Sequence, residues 1–198
     1  MKRAAIPIAI VIAFLGALGI RVVIEGHRAL AEGDHAAADG RLDDAVAAWE
    51  SAARWYLPVG SHVDDAYARL IELASKDHRH ALAAWRAVRS ASLATRWLFT
   101  PHADDLLAAN AAIAELASRD PEGALSAGAD AAARKTWHAE RLARDPGPAR
   151  GGLALATLGI ALWLAGVALL VRPRGPDVVG AAIALTGLVG WMIGLGVA

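Results

Sequence analysis

The chain has 198 residues, with 20 basic and 20 acidic side chains, no cysteine and an apolar fraction of 56%. A neutral balance argues against a nucleic-acid partner, which would require a basic face. The lack of cysteine excludes a disulfide framework and a thiolate metal site. This length holds one compact domain together with membrane segments, and the abundance of alanine and leucine predicts an all-α protein.

The first apolar segment covers residues 4–20, carries no charge and continues through Arg21 to Ile24. It reaches the roughly 20 residues that a membrane-spanning helix needs. A cleaved signal peptide has a similar basic start and apolar run, but this run is long for a signal, so we favour an anchor. No proline lies between Ala9 and Arg54. We therefore expect this helix to continue into the next one as a single rod.

Residues 28–58 have the pattern of a helical hairpin. The first helix runs to about Asp39, Gly40 breaks it, and residues 42–56 return with Ala45 and Trp49 on one face. Small residues on the facing sides allow two helices to approach closely, while one tryptophan fills the remaining gap.

This hairpin resembles one tetratricopeptide repeat (TPR). Ala29, Glu32 and Ala36 stand where that family prefers larger side chains. The resemblance implies a binding scaffold rather than an enzyme. The residues that carry it are Gly33, Gly40, Ala45, Trp49, Ala52 and, one position late, Pro58.

Two further hairpins follow. The second has helices at residues 62–75 and 80–98, and the spacing of Trp49 and Trp85 is close to the ~34-residue TPR period. The third has helices that begin at Thr100-Pro101 and at Asp120-Pro121, each with a capping residue before proline, and it ends at about Arg144. Three hairpins are about the minimum for a self-supporting stack.

Residues 151–171 and 178–198 are two more uncharged segments of spanning length. The short link at residues 172–176 leaves room only for an antiparallel hairpin. Basic residues precede the first span and lie between the second and third, which places both sites on the cytoplasmic face. The sequence thus predicts a transmembrane helix at 1–24, a periplasmic TPR-like domain at 25–148 and a two-helix transmembrane hairpin at 149–198, in a bacterial inner membrane.

The spans carry small residues at helical spacings, which favour close helix packing in lipid. We expect these residues to pack the three spans together or to dock against another membrane subunit. No ionisable residue lies in the interior of a span, which argues against an ion path through this chain alone. The packing residues are Ala9, Ala13, Ala17, Gly159, Gly166, Gly187, Gly190 and Gly194.

Arginines recur on one side of the predicted helix at 80–98. Arg79, Arg86, Arg89 and Arg96 fall within about 100° of helical arc, opposite Ala81, Ala84, Val88 and Ala91. The alanine side is expected to pack. The arginine side is either an ordinary solvated face or a surface for an acidic partner or lipid headgroups. Trp55, Tyr56 and Trp97 are the aromatic anchors that we expect beside it.

Histidines and acids also recur, notably Asp77 with His78 and His80. A metal site needs three or four converging ligands, so a solvated turn is the better interpretation. His62 and His102 stand in equivalent first turns, where capping or packing explains them. The sequence contains no nucleophile elbow, P-loop or dinucleotide fingerprint. We expect no catalytic residue, no metal site and no cofactor.

We therefore expect an all-α integral membrane protein with three transmembrane helices and a TPR-like extramembrane domain. Its expected function is that of a non-enzymatic scaffold or accessory subunit in an inner-membrane complex. The expected partners are an integral membrane protein, a periplasmic protein segment and the lipid bilayer, with no nucleic acid. The alternatives are an accessory subunit of a TolQ/ExbB-type ion-driven motor and a membrane-bound metal-dependent hydrolase.

Overall fold

A computed structural model describes residues 2–58, 60–97, 99–119, 130–144, 147, 149–170 and 178–197; the side chains of residues 2–12 and 150 lie outside this description. Within the described residues the chain is all-α, with eight helices and no strand, which confirms the predicted fold class at this level. The helices are α1 (Lys2–Ala38), α2 (Leu42–Arg54), α3 (Ser61–Lys76), α4 (Ala81–Ala94), α5 (Ala103–Ala117), α6 (Ala131–Ala143), α7 (Arg150–Leu170) and α8 (Val178–Val197).

The chain divides into two compact units. The first contains α1 up to Gly19, together with α7 and α8, and the second runs from Ile20 to residue 145. Helix α1 is continuous from Lys2 to Ala38, as the absence of proline beyond Pro7 predicts.

In the first unit, two helices among the described residues are long and apolar enough to cross a membrane. They are α7 from Gly151 onward and α8, with mean hydropathies of 2.3 and 2.1. The first predicted span lies in α1. The side chains of its residues up to 12 are not described.

In the second unit, α1, α2 and α3 meet at the carboxylate of Asp34. The indole Nε1 of Trp49 donates a hydrogen bond to Asp34 Oδ1 at 3.1 Å, and Arg69 Nε donates to the same oxygen at 3.1 Å. Trp49 is only 4% exposed. Gly33 makes room for it, since a Cβ at that position would lie 3.0 Å from Trp49 Cγ.

A core of mostly small residues holds the remaining helices together. Helix α2 packs on α3 and α4, α3 packs on α4, and the stack continues through α5 to α6. The contact of α2 with α4 joins the second helices of two successive hairpins, which is a repeat-like arrangement. Larger side chains such as Leu70, Val63 and Val88 fill the gaps between the buried alanines Ala36, Ala45, Ala52, Ala53, Ala66, Ala84 and Ala91.

The observed end of α4 differs from the predicted one. The helix ends at Ala94 rather than near residue 98. The hydroxyl of Thr95 donates to the carbonyl of Ala91 at 3.0 Å, and the amide of Trp97 bonds to the carbonyl of Phe99 at 3.0 Å. The second bond directs the Trp97 amide away from the Leu93 carbonyl, which it would meet in a further helical turn.

The observed start of α5 also differs from the prediction. His102 occupies the N-cap, rather than Thr100, in a left-handed conformation with φ 54°. Its Nδ1 is 3.1 Å from Asp105 Oδ2, and its ring stacks on Tyr67 at 4.1 Å between centroids.

Helix α6 is capped by Asp130, whose Oδ1 accepts from the amide of Ala133 at 2.7 Å. Its predicted start at Asp120 lies outside the described residues.

Replacing Gly33 by alanine is expected to destabilise the second unit. The new Cβ displaces the Trp49 indole and breaks its bond to Asp34, and overpacking of this kind costs about 1–3 kcal/mol. The measurement is the thermal midpoint of the helical circular dichroism signal of the full chain in detergent.

The matched control for this experiment is Gly16→Ala, also in α1, where a Cβ meets nothing within 4 Å. It gains helix propensity of about 0.5–1 kcal/mol without a clash. Equal midpoints for the two variants would contradict the proposed role of Gly33.

Candidate partner-binding surface

Helices α7 and α8 cross at their glycines with backbone against backbone. A Cβ on Gly159 would lie 2.7 Å from the carbonyl oxygen of Gly187, and a Cβ on Gly187 would lie 2.7 Å from that of Gly159. Likewise, a Cβ on Gly166 would lie 2.6 Å from Ala184 Cα, and one on Gly194 would lie 2.7 Å from Ala156 Cα. These four glycines therefore belong to the seam between α7 and α8.

The other predicted packing residues are placed differently. Gly190 borders the seam at ordinary contact distance, with 3.7 Å between its Cβ position and Gly159 Cα. Ala13 and Ala17 are exposed, and the side chain of Ala9 is outside the described part of the chain.

An apolar cleft of about 150 Å³ opens beside the seam. It is lined by Ile160, Trp163, Leu188 and Trp191.

Replacing Gly187 by valine is expected to separate α7 from α8. The branched side chain meets the opposite backbone, at a cost of about 1–3 kcal/mol. The measurement is the mole fraction of sodium dodecyl sulfate that unfolds the detergent-solubilised chain, which should fall.

The corresponding control is Gly151→Val in α7, since a Cβ at Gly151 has nothing within 4 Å. It makes the same residue change in a helix and so carries a change in helix propensity of the same sign. A Gly151→Val variant as sensitive as Gly187→Val would show that the seam is not the cause.

In the second unit, a groove of about 980 Å³ opens between α4 and α6, over α5. Two of the predicted arginines, Arg86 and Arg89, line its α4 wall, and the α6 wall adds Arg141, Arg144 and His138. The groove floor consists of apolar side chains. They are Leu93, Ile113, Ala117, Trp137 and Leu142.

The arginines of the groove differ in how they are held. Arg89 Nε donates to Asn110 Oδ1 at 2.9 Å. The guanidinium of Arg141 lies 5.4 Å from the ring centroid of Trp137, a cation–π distance. Arg144 pairs with Glu140 at 3.4 Å on an exposed surface. No acidic residue lines the groove in the described part of the chain.

The other two predicted arginines lie elsewhere. Arg79 is exposed in the turn before α4, where its amide bonds to Asp77 Oδ1 at 2.8 Å. Arg96 follows the end of α4 and lines a second groove of about 520 Å³. Its Nε is buried and has no hydrogen-bond partner among the described residues. The predicted arginine face is therefore divided among the turn, the helix and the loop after it.

The predicted aromatic anchors are spread over two loops. Trp55 follows α2, and its carbonyl is 2.8 Å from Nε2 of the buried His62. Tyr56 is half-buried and packs against the core. Trp97 is 44% exposed in the loop after α4. None of these three aromatic residues is among the described residues that line the groove between α4 and α6.

Two histidines link successive hairpins through acids. His80 Nδ1 lies 2.9 Å from Asp77 Oδ2, and its Nε2 lies 3.7 Å from Asp43 at the start of α2. His102 similarly lies 3.5 Å from Asp64 at the start of α3. Hydrogen bonds from His80 and from the Arg79 amide hold the pKa of Asp77 below its ordinary value. Over the described ranges, no three histidine, aspartate or glutamate side chains lie close enough together to hold a metal ion.

The α6 wall of the groove is not among the partner-binding residues predicted from the sequence. Trp137, Arg141 and Arg144 follow each other at four- and three-residue spacing on one helical face. That spacing is the signal that would have found them.

Polar contacts tie helix α6 to α5, and none of its residues is buried. Lys135 Nζ lies 2.7 Å from Glu115 Oε2, and Arg134 Nε donates to the carbonyl of Ser118 at 2.8 Å. Bonds from Lys135 and then from Arg119 hold the pKa of Glu115 below its ordinary value. These contacts position the groove's second wall.

Comparisons of the chain with protein families, with curated proteins and with solved structures find no match. The class that the fold itself defines is that of an all-α chain with a repeat-like helical stack and two helices of membrane-spanning length.

Acidification is expected to loosen α6 from α5. The pKa of Glu115 is lower in the folded protein than its ordinary value of 4.5. The stability that Glu115 gives to the contact of α6 with α5 is therefore fully present above pH 4.5, and it is lost as the pH falls through the lower pKa of the folded state. Glu115→Gln should reproduce the effect at pH 7. It should lower the hydrogen-exchange protection of α6 by about two- to fivefold, the range for an exposed ion pair.

The control for this pH effect is Glu72→Gln, which removes an acid that pairs with Lys76 inside α3. It removes one carboxylate charge but no contact to α6. Unchanged α6 protection in Glu115→Gln, or an equal loss in Glu72→Gln, would contradict the assigned tether.

Proposed function

We propose that this chain is a membrane-anchored TPR-like scaffold, an accessory subunit that mediates protein–protein assembly of a bacterial inner-membrane complex. The observation that carries the proposal is the groove of about 980 Å³, which the described helices leave open on a chain that also has two apolar helices of spanning length. Repeat stacks provide extended surfaces of this kind for partners.

The α7–α8 hairpin supports the membrane part of the proposal. Its glycine seam brings two backbones together without side chains, a mode of packing that is favoured in lipid. The outward positions are large and apolar, including Leu158, Leu185 and Met192. We propose that this outer surface, with the cleft beside Trp163 and Trp191, meets lipid and an integral membrane partner.

The orientation in the proposal comes from the basic residues of the sequence. In this orientation the N-terminus and the link at residues 172–176 lie in the cytoplasm. The N-terminal part of α1 is then the first of three spans, and residues 25–148 lie in the periplasm. The helical stack would then present its groove to a periplasmic segment of the partner. We propose no catalytic role for this chain.

The experiment combines topology with site-specific photo-cross-linking in native membranes. A periplasm-dependent reporter inserted at Gly147 should be active. A photo-reactive residue at Trp163 should capture an integral membrane protein, and one at Arg86 should capture a polypeptide of the same complex. The control position is Ala68, which is exposed on α3 and does not line the groove.

Two results would overturn this proposal. The first is a reporter at Gly147 that is active only in the cytoplasm. The second is a cross-linking pattern in which Trp163 and Arg86 capture no more protein than Ala68 does.

A further inference from the structure

We propose that the groove between α4 and α6 binds an acidic, amphipathic polypeptide segment of the partner. This rests on the proposed function only in taking the partner to be a protein. The occupant is defined by three features of the groove: its charge, its apolar floor and its concave shape.

The charge of the groove is positive on both walls. Arg86 on α4 and Arg141 on α6 form no ion pair within the described parts of the chain, and Arg144 has only an exposed contact with Glu140. Arg89 adds a fourth guanidinium. Like charges facing each other across a groove repel, so an occupant with carboxylates between them is favoured. Arginine and carboxylate also form strong, bidentate hydrogen bonds.

The floor of the groove adds an apolar requirement. Leu93 of α4, Ile113 of α5 and Leu142 of α6 lie between the basic walls, together with the ring of Trp137. A purely polar anion would leave this apolar surface uncovered. A segment with apolar residues on one side and acids on its flanks covers both, as amphipathic helices do when they bind in grooves.

The shape favours a polypeptide over a lipid surface. The groove is a concave space of about 980 Å³ between α4 and α6. A bilayer surface is locally flat and does not follow a concave groove between two helices. A single chain segment does.

Helix α6 gives one wall the freedom to adjust to such a segment. Its contacts to α5 through Arg134 and Lys135 lie in its first half, whereas Arg141 and Arg144 stand at its other end. With no buried residue in the helix, a small movement of this wall breaks no packed core. Side-chain and segment adjustments of this kind are common at binding surfaces.

The test uses the full chain in a neutral detergent and a fluorescent peptide of about 15 residues, long enough for a marginal helix, with leucine and glutamate at helical spacing. Fluorescence anisotropy should show binding that weakens with salt. Arg86→Glu combined with Arg141→Glu should weaken binding at least tenfold. Arg86→Gln combined with Arg141→Gln should weaken it less and serves as the second variant if the first does not fold.

The control chain carries Arg28→Glu and Lys76→Glu, which make the same charge change at two exposed basic residues outside the groove. It should bind within about twofold of the unchanged protein, as expected when screened charges lie away from the site. A control peptide with glutamine in place of glutamate should bind at least tenfold more weakly.

Equal loss of binding in the groove variants and the control chain would overturn the proposal, and so would equal binding of the two peptides. Displacement of the peptide by phosphatidylglycerol in mixed micelles would also overturn it and would assign the groove to lipid headgroups. If the peptide fails to bind while Trp163 and Arg86 still cross-link to one membrane complex, this inference fails and the proposed scaffold function stands.

Discussion

The structure depends on how closely its helices approach one another. Where α1 meets α2 and where α7 meets α8, the residue at the point of contact is a glycine, and the opposite backbone or one large ring occupies the space that a side chain would take. Gly33 does this for Trp49, and Gly159 and Gly187 do it for α7 and α8. A close crossing brings many atoms into contact, and their summed dispersion attraction replaces the burial of large side chains. It also makes each crossing intolerant of added volume.

Helix α6 is the exception to this rule, and its position creates the groove. It has no buried residue and is seated by ion pairs and hydrogen bonds rather than by a small-residue seam. The space between α4 and α6 is lined by Arg86 and Arg89 on the first helix and by Arg141 and Arg144 at the second. The helix that has no buried residue is therefore also one wall of the large, charged opening.

The sequence predicted what depends on local spacing. Alanine, glycine and tryptophan at helical intervals indicated the hairpins and the buried face of α4, and uninterrupted apolar runs indicated α7 and α8. The end of α4 was missed because it depends on a local backbone turn, in which the Trp97 amide bonds to the Phe99 carbonyl, and helical spacing does not reveal such a turn. The groove was only half predicted. Arg86 and Arg89 could be placed on one helical face, but their pairing with Arg141 and Arg144 depends on how α6 is seated in three dimensions.

The conformation of His102 has a consequence for how the stack is built. A non-glycine residue in the left-handed region carries a conformational cost on the order of 1–3 kcal/mol, which its surroundings must offset. Here the offset comes from the ring of Tyr67 in the preceding hairpin, whose hydroxyl is itself anchored to the buried Ser92 of α4. The direction in which α5 leaves its loop is thus fixed by α3 and α4. The starting geometry of the third hairpin therefore depends on the second, so the stabilities of the two hairpins are coupled rather than independent.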